Sequence, residues 1–232
     1  GAIAMGCKKL NLSKKNLKLE KSQAVASVGQ IELMNLFNKN FSKSKINISQ
    51  ILLTLEDTEQ RRRAINAKRT FENLFELGFI PVVNENDSIA TTEIKYGDND
   101  RLASRVAQIS GADCLVLLSD VDGLYTQNPK LFKNSKLIKE IKNIDTDIEK
   151  IATKSISEHG TGGMKTKIEA AKICQLSGCM MVIANGLLER PIKKIIDKNK
   201  CTWFLPKVSK LDARKKWIIS SVSPKGELII DD

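Results

Sequence analysis

Apolar and polar positions along the chain recur in two periods. From Ser22, the residues Ala24, Val25, Val28, Ile31, Leu33, Met34, Leu36 and Phe37 return at three- and four-residue intervals, predicting a helix over about 22–41 with Ser22 as its cap. Ile48–Leu53 is a compact β-branched and aliphatic run, hence a strand. Asp57 is expected to cap a helix running to about Leu77, which Gly78 stops. Phe79–Asn84 is the next strand. Asp98 or Asn99 opens a helix to about Ser110, and Ala112–Ser119 is nearly continuously apolar, as in a strand covered on both faces. A loop over 126–136, a short strand at Leu137–Ile141 and a short helix near 145–153 follow. The helix over about 163–178 turns Met164, Ile168, Ala171 and Leu176 inward. Met180–Ala184 is a strand, Pro191 starts a short helix, and Thr202–Leu205 is another strand. Trp217–Val222 and Glu227–Ile230 form a closing hairpin about Pro224-Lys225-Gly226. Residues 11–22 read as an exposed lysine-rich loop. Helices alternating with strands predict an α/β fold, a three-layer helix–sheet–helix sandwich with a mainly parallel central sheet. With no repeat and no linker, residues 1–232 read as a single domain.

Composition narrows the function more than the fold. Hydrophobic residues make up 41% and charged residues 28%, ordinary values for a globular chain of 232 residues. No apolar run approaches the roughly 18 residues of a membrane span, and no charged-then-apolar leader opens the chain, so the cytoplasm is the expected compartment. Cys7, Cys114, Cys174, Cys179 and Cys201 form no CxxC pair, and an odd count argues against a disulfide framework. His159 is the one histidine, so no metal site is expected. The formal charge of +11 comes mainly from scattered lysines, and the 5% of aromatics are not interleaved with them. This describes solvated faces with a modest attraction for anionic substrates, not a nucleic-acid platform. The opening Gly-Ala-Ile-Ala resembles the start of a helix without the strand that should feed it, and the chain reads as a fragment.

Three constellations carry candidate chemistry. Val83-Asn84-Glu85-Asn86-Asp87 ends an apolar strand, and Gly97-Asp98-Asn99-Asp100 precedes an amphipathic helix. Polar groups at the carboxyl end of a strand and the mouth of a helix mark ligand sites in open α/β sheets. Capping and Asx turns account for Asp98 or Asn99. They do not account for two dense acidic clusters, whose repulsion a cation or an ammonium-bearing substrate would offset. The second constellation is Gly160-Thr161-Gly162-Gly163, whose backbone N–H groups and helix dipole suit a phosphate, with Lys165 and Lys167 one turn in. It matches neither standard nucleotide motif, and a plain glycine-rich loop is the alternative. The third is Ser119-Asp120, which either reads a nucleotide or forms the turn completed by Asp122-Gly123.

Together these residues resemble the glutamate 5-kinases of the amino acid kinase family. The resemblance is carried by GAIAMG at 1–6, Ala26-Ser27-Val28-Gly29-Gln30, QILLT at 50–54, PVVNENDSIA at 81–90, EIKYGDND at 93–100, LLSDVDGLYT at 117–126, GTGGMKTK at 160–167 and RKKW at 214–217. NENDS with GDND separates this group from the acetylglutamate, aspartate, carbamate and UMP kinases. The resemblance implies transfer of the γ-phosphoryl group of Mg²⁺-ATP to the side-chain carboxylate of L-glutamate, the first step of proline biosynthesis. It implies that Asp87, Asn99 and Asn84 bind glutamate, with Asp87 meeting its ammonium group and the backbone of Gly1 beside the site. Asp100 would orient the active-site lysines, and Lys167 would stabilise charge on the transferring group. Thr161, Gly162, Gly163, Met164, Lys165, Thr166 and Lys167 would bind ATP, together with Ser119 and Asp120.

The sequence also departs from the family pattern. The Lys-x-Gly-[ST] motif of the family's first strand and the Thr-Ser expected before Gly1 are absent, as is a C-terminal PUA domain. Lys165 stands where a small or polar residue is usual, and Asn128-Pro129 where Asp-Pro is common. Without its first strand the chain itself is a candidate inactive fragment. A dimer or tetramer is expected, with proline a candidate feedback inhibitor. The alternatives are an acetylglutamate-type kinase and a non-catalytic glutamate or proline sensor.

Overall fold

The computed structural model describes residues 1–13, 17–90, 98–129, 131–154, 163–197 and 200–213. The expected closing hairpin, Thr161 and Gly162 lie outside the described residues. Contacts divide the chain into two compact units, Gly1–Leu102 and a second that begins at Ala103.

The first unit holds α1 (Ala2–Leu10), α2 (Leu19–Ser42), β1 (Asn47–Leu53), α3 (Leu55–Glu59), α4 (Arg61–Glu76) and β2 (Phe79–Glu85). Its two strands pair in parallel, with Gln50 opposite Val82 and Leu52 opposite Asn84. Helices α1 and α2 meet at glycines. A Cβ on Gly6 would stand 2.0 Å from the Val25 carbonyl oxygen, and one on Gly29 would stand 1.8 Å from that of Ala2. Ala2, Gly6, Cys7, Val25, Ala26 and Gly29 are buried along this crossing. Small residues let two backbones approach; no larger side chain fits.

Two expected caps are placed differently. Helix α2 starts three residues early, from Lys18, so Ser22 lies in its first turns and its N–H bonds the Lys18 carbonyl. No side chain caps it, although Glu20 in the first turn complements the helix dipole. Asp57 is not a cap either. Thr54 is, in a reciprocal capping box: its hydroxyl accepts from the Asp57 N–H at 3.2 Å, and the Asp57 carboxylate accepts from the Thr54 N–H at 2.8 Å. Burial would push the Asp57 carboxyl up, but these bonds and Arg63 hold it below its ordinary value. Gln60, with ψ 116, then breaks the expected long helix into α3 and α4. Gly78, at φ +76, provides the left-handed residue that ends α4 and turns the chain into β2.

Helix α5 (Asp98–Ser110) leads into the second unit, which holds β3 (Cys114–Ser119), β4 (Glu140–Ile141), α6 (Thr146–Lys154), α7 (Met164–Ser177), β5 (Met180–Asn185), α8 (Pro191–Ile196) and β6 (Cys201–Phe204). Strand order is β3-β5-β6-β4, parallel except for β5 against β6. With the β1–β2 pair, most strand pairings are parallel, as the alternation predicts. Ile168, Ala171 and Cys174 of α7 pack with Leu117, Met181, Ile183 and Phe204 in its core. Leu176 is 64% exposed, contrary to expectation, and Gln175 faces inward instead, donating to the carbonyls of Lys142 (3.0 Å) and Leu205 (2.8 Å). One amide there links the ends of β4 and β6. Strand β3 lies at the sheet edge and Leu118 is 49% exposed, so the cover expected on both faces is incomplete.

At the amino ends of β3 and β5 the segment carrying Lys210 closes over two turns. Lys210 Nζ donates to the Gly111 carbonyl at 2.8 Å and pairs with Asp113. A Cβ on Gly178 would meet the Lys210 backbone N at 2.8 Å. All five cysteines are free, and only Cys114 is not fully buried. Among the described residues no helix is long and apolar enough to cross a membrane.

Candidate active site

In the first unit a cavity of about 270 Å³ opens where α2, β1 and the end of β2 meet. Ala2, Ala26, Ser27 and Gln30 line one side; Gln50, Leu52 and Glu85 to Ser88 line the other. The loop after β2 is built by Asn86. Its N–H donates to the Leu53 carbonyl at 2.9 Å, its side chain accepts from Ser88 Oγ at 2.7 Å, and its carbonyl accepts from Ala90 at 3.2 Å. Gln23 of α2 ties down the far end through the Ala90 carbonyl at 2.9 Å. Asn86 is therefore committed to shaping the loop, and Asp87 is carried into the cavity wall.

Burial pushes the Asp87 carboxyl above its ordinary value. Ionised Asp87 is thus poorly solvated, and a ligand cation would stabilise it. Asn84 does not line the cavity itself. Its Nδ2 donates to Gln30 Oε1 at 2.9 Å, and Gln30 Nε2 donates to Gln50 Oε1 at 3.0 Å, which joins three carboxamides in one row. Gln30 and Gln50 were not singled out as site residues by sequence. The available signal was a glutamine on the buried face of α2, one position after the glycine that α1 crosses.

Asn99 is exposed and Asp100 half-buried in the first turn of α5. That turn is tied to α3 by Arg101–Glu59 at 2.8 Å. The cavity lining includes Ala2 but not Gly1, and neither Asn99 nor Asp100. The structure therefore brings Asp87 to the cavity and Asn84, through Gln30, next to its wall, and leaves Asn99 and Asp100 outside that wall.

The second unit holds the remaining described candidates. Helix α7 begins at Gly163 with no side chain capping it and no acidic residue in its first turn. A Cβ on Gly163 would meet no described residue within 4 Å. Met164 packs on the core, Lys165 is exposed, and Thr166 turns its hydroxyl back to the Gly163 carbonyl at 3.0 Å. Lys167 is half-buried in the first turn. An uncapped amino end flanked by two lysines is a donor set suited to phosphate oxygens. At the carboxyl end of the sheet, Ser119 Oγ donates to the Asp120 carboxylate at 3.1 Å. Asp122 accepts from Asn185 Nδ2 at 3.1 Å and from the Tyr125 hydroxyl at 3.0 Å, and Gly186 N–H reaches the Ser119 carbonyl at 2.8 Å. Asp122 thus braces the β3 and β5 ends and leaves Asp120 exposed. Asn185 and Tyr125, both part of this brace, had no sequence signal beyond ordinary strand-end polarity.

Comparisons with known proteins complete the description. The amino acid kinase family model matches residues 2–185. The glutamate 5-kinase of Pelagibacter ubique is 86% identical over 232 residues, covering 100% of this chain and 63% of that protein. That of Nitrobacter hamburgensis is 50% identical over 231 residues, covering 100% of this chain and 61% of that protein. The chain therefore spans about three-fifths of the length of these curated relatives. Among solved structures, UMP kinase from Ureaplasma parvum matches with a TM-score of 0.56 at 11% identity, over 86% of this chain and 75% of that one. A likeness at that identity concerns the fold alone.

Proposed function

The chain belongs to the amino acid kinase family, and from that premise we propose that it serves as the kinase domain of an enzyme that phosphorylates the side-chain carboxylate of L-glutamate with ATP, opening proline biosynthesis. The observation that carries this reading is the half-buried Asp87 carboxylate in a cavity whose wall also holds Gln30, Gln50, Asn86 and Glu85, in a chain 86% identical to a glutamate 5-kinase. An α-amino acid supplies a cation to meet Asp87.

In this reading the residues hold and neutralise; they do not move protons. The acceptor carboxylate is already ionised at pH 7, so transfer needs positioning and charge stabilisation in place of a general base. Asp87, Asn84 and Asn99 are assigned to glutamate, beside the Gly1 backbone, and Asp100 to orienting lysines. Thr161 through Lys167, a stretch that runs in sequence into the first turn of α7, is assigned to the ATP phosphates, with Lys167 next to the transferring group. Ser119 and Asp120 are assigned to the nucleotide. Mg²⁺ would arrive on the ATP phosphates. When bound there, the ion would share the phosphate charge. A cytoplasmic setting, self-association as a dimer or tetramer, and inhibition by proline belong to the same proposal.

The test is an assay of a protein carrying this chain with whatever segments flank it in the gene, using ATP, Mg²⁺, L-glutamate and hydroxylamine. Glutamyl hydroxamate is the expected product. Absence of hydroxamate together with turnover of another acid, such as aspartate, would refute the assignment.

A further inference from the structure

We propose that Gln30 is a positioning residue that fixes the carboxamide of Gln50, so that the cavity presents a hydrogen-bond donor there. The inference rests on the glutamate reading above. The two residues flanking Gln30 in the row come from different strands. On paired parallel strands, Gln50 lies opposite Val82 and Asn84 lies two residues further along β2, so both sit on one face as diagonal neighbours. Gln30 reaches across that diagonal from α2 and is only 9% exposed.

A carboxamide has a donor end and an acceptor end, and a 180° turn exchanges them. Gln30 removes that freedom at both neighbours at once. Its Oε1 takes the Asn84 Nδ2 hydrogen, and its Nε2 gives a hydrogen to Gln50 Oε1. Asn84, behind the cavity wall, holds Gln30 in this orientation, and Gln50, in the wall, is left with its amino group to offer. An α-amino acid whose ammonium meets Asp87 needs such a donor for its α-carboxylate. Gln30 can hold its own position because Gly29, next to it, is fixed against the Ala2 backbone at the helix crossing. Neither leucine nor glutamate can replace it fully. Leucine has no polar end. Glutamate still accepts from Asn84 but, when ionised, cannot donate to Gln50, which must then turn its oxygen into the cavity.

The experiment compares Gln30→Leu and Gln30→Glu with the parent protein, in the form carrying its flanking segments. It measures the KM for L-glutamate, the KM for ATP and kcat between pH 5.5 and 8, with thermal melts as the control for folding. The expected result for Gln30→Leu is a rise of about tenfold or more in the glutamate KM, the loss of roughly 1.4 kcal/mol of orientation, with the ATP KM and kcat within about threefold. Gln30→Glu is expected to be similarly impaired at pH 8 and to recover relative to the parent as pH falls. A carboxyl at a buried position titrates high, and its protonated form donates again. A residue that merely filled space would show no such recovery. Unchanged glutamate KM in Gln30→Leu overturns the proposal and leaves the kinase assignment standing. If Gln30→Leu does not fold, a parent-like glutamate KM in Gln30→Glu at pH 8 overturns it equally. If the parent neither phosphorylates nor binds glutamate, the functional assignment itself fails, and this inference with it.

Discussion

Replacing Gly29 with alanine adds one methyl group at the tightest point of the first unit. The new Cβ would lie 1.8 Å from the Ala2 carbonyl oxygen and 2.4 Å from the Gly6 backbone N. Normal non-bonded separations are about 3.5 Å, so α1 must retreat from α2 by roughly 1.5 Å. Both obstacles are backbone, and no side-chain rotation relieves them. Helix propensity works the other way, since alanine in a helix interior gains about 1 kcal/mol over glycine. Overpacking of a close core contact typically costs about 1–3 kcal/mol. Here the retreat also loosens the packing of Cys7, Val25 and Ala26, each buried, at about 0.8 kcal/mol per methylene returned to water. The contact terms exceed the propensity gain, and a net loss of about 2–4 kcal/mol is expected. The measurement is chemical unfolding of Gly29→Ala against the parent, with amide hydrogen exchange to locate the loss in α1 and the amino half of α2. A variant as stable as the parent, or one more stable by the propensity term, would refute the account of a backbone-limited crossing.

Two further predictions concern the charged residues. Asp87 has a folded-state carboxyl raised by burial, so its contribution to stability is fully present below the ordinary carboxylate range and is lost as pH rises through the raised value. Asp87→Asn should therefore stabilise the ligand-free protein at pH 7.5 but not near pH 4, as followed by urea unfolding at both pH values, while glutamate binding is lost; a stability gain that shrinks as pH rises would show the sign to be wrong. Lys167→Ala is expected to lower kcat by about 10²–10³, the usual cost of removing one donor aimed at transition-state charge, and to change the glutamate KM little. Steady-state kinetics in both substrates decide this, and a large KM effect with kcat preserved would move Lys167 from the transferring group to ground-state binding.

Most elements were legible because their apolar period is regular. β1, β2, α5, α7 and β5 all fall within a residue or two of the expected bounds, including the Gly78 stop and Pro191 at the first position of α8. The errors share a cause: local chemistry admits two partners and tertiary contact chooses. Asp57 and Thr54 were both competent to begin a helix, and Thr54 won because Asp57 could then return a bond to it. Leu176 and Gln175 are adjacent on α7, and hydropathy favours burying the leucine. Two buried carbonyls, on Lys142 and Leu205, needed a donor that only the glutamine has. Gln30 was hidden similarly, since a polar residue on a buried helix face reveals its role only when its partners on β1 and β2 are known. Asp87 and Asn84 stood out because dense acidic and amide clusters at a strand end are costly without a ligand.

The Lys210 closure ties the sheet of the second unit at the amino ends of β3 and β5, opposite Ser119 and Asn185. One end is clamped by a cation bridging the Gly111 turn and by backbone pressed onto Gly178. The other, where Ser119 and Asn185 stand, is held by the Asp122 carboxylate on Asn185 and by the Gly186 N–H on the Ser119 carbonyl. The two strands are thus tied together at both ends, so the register of β3 against β5 also sets the strand ends assigned to the nucleotide.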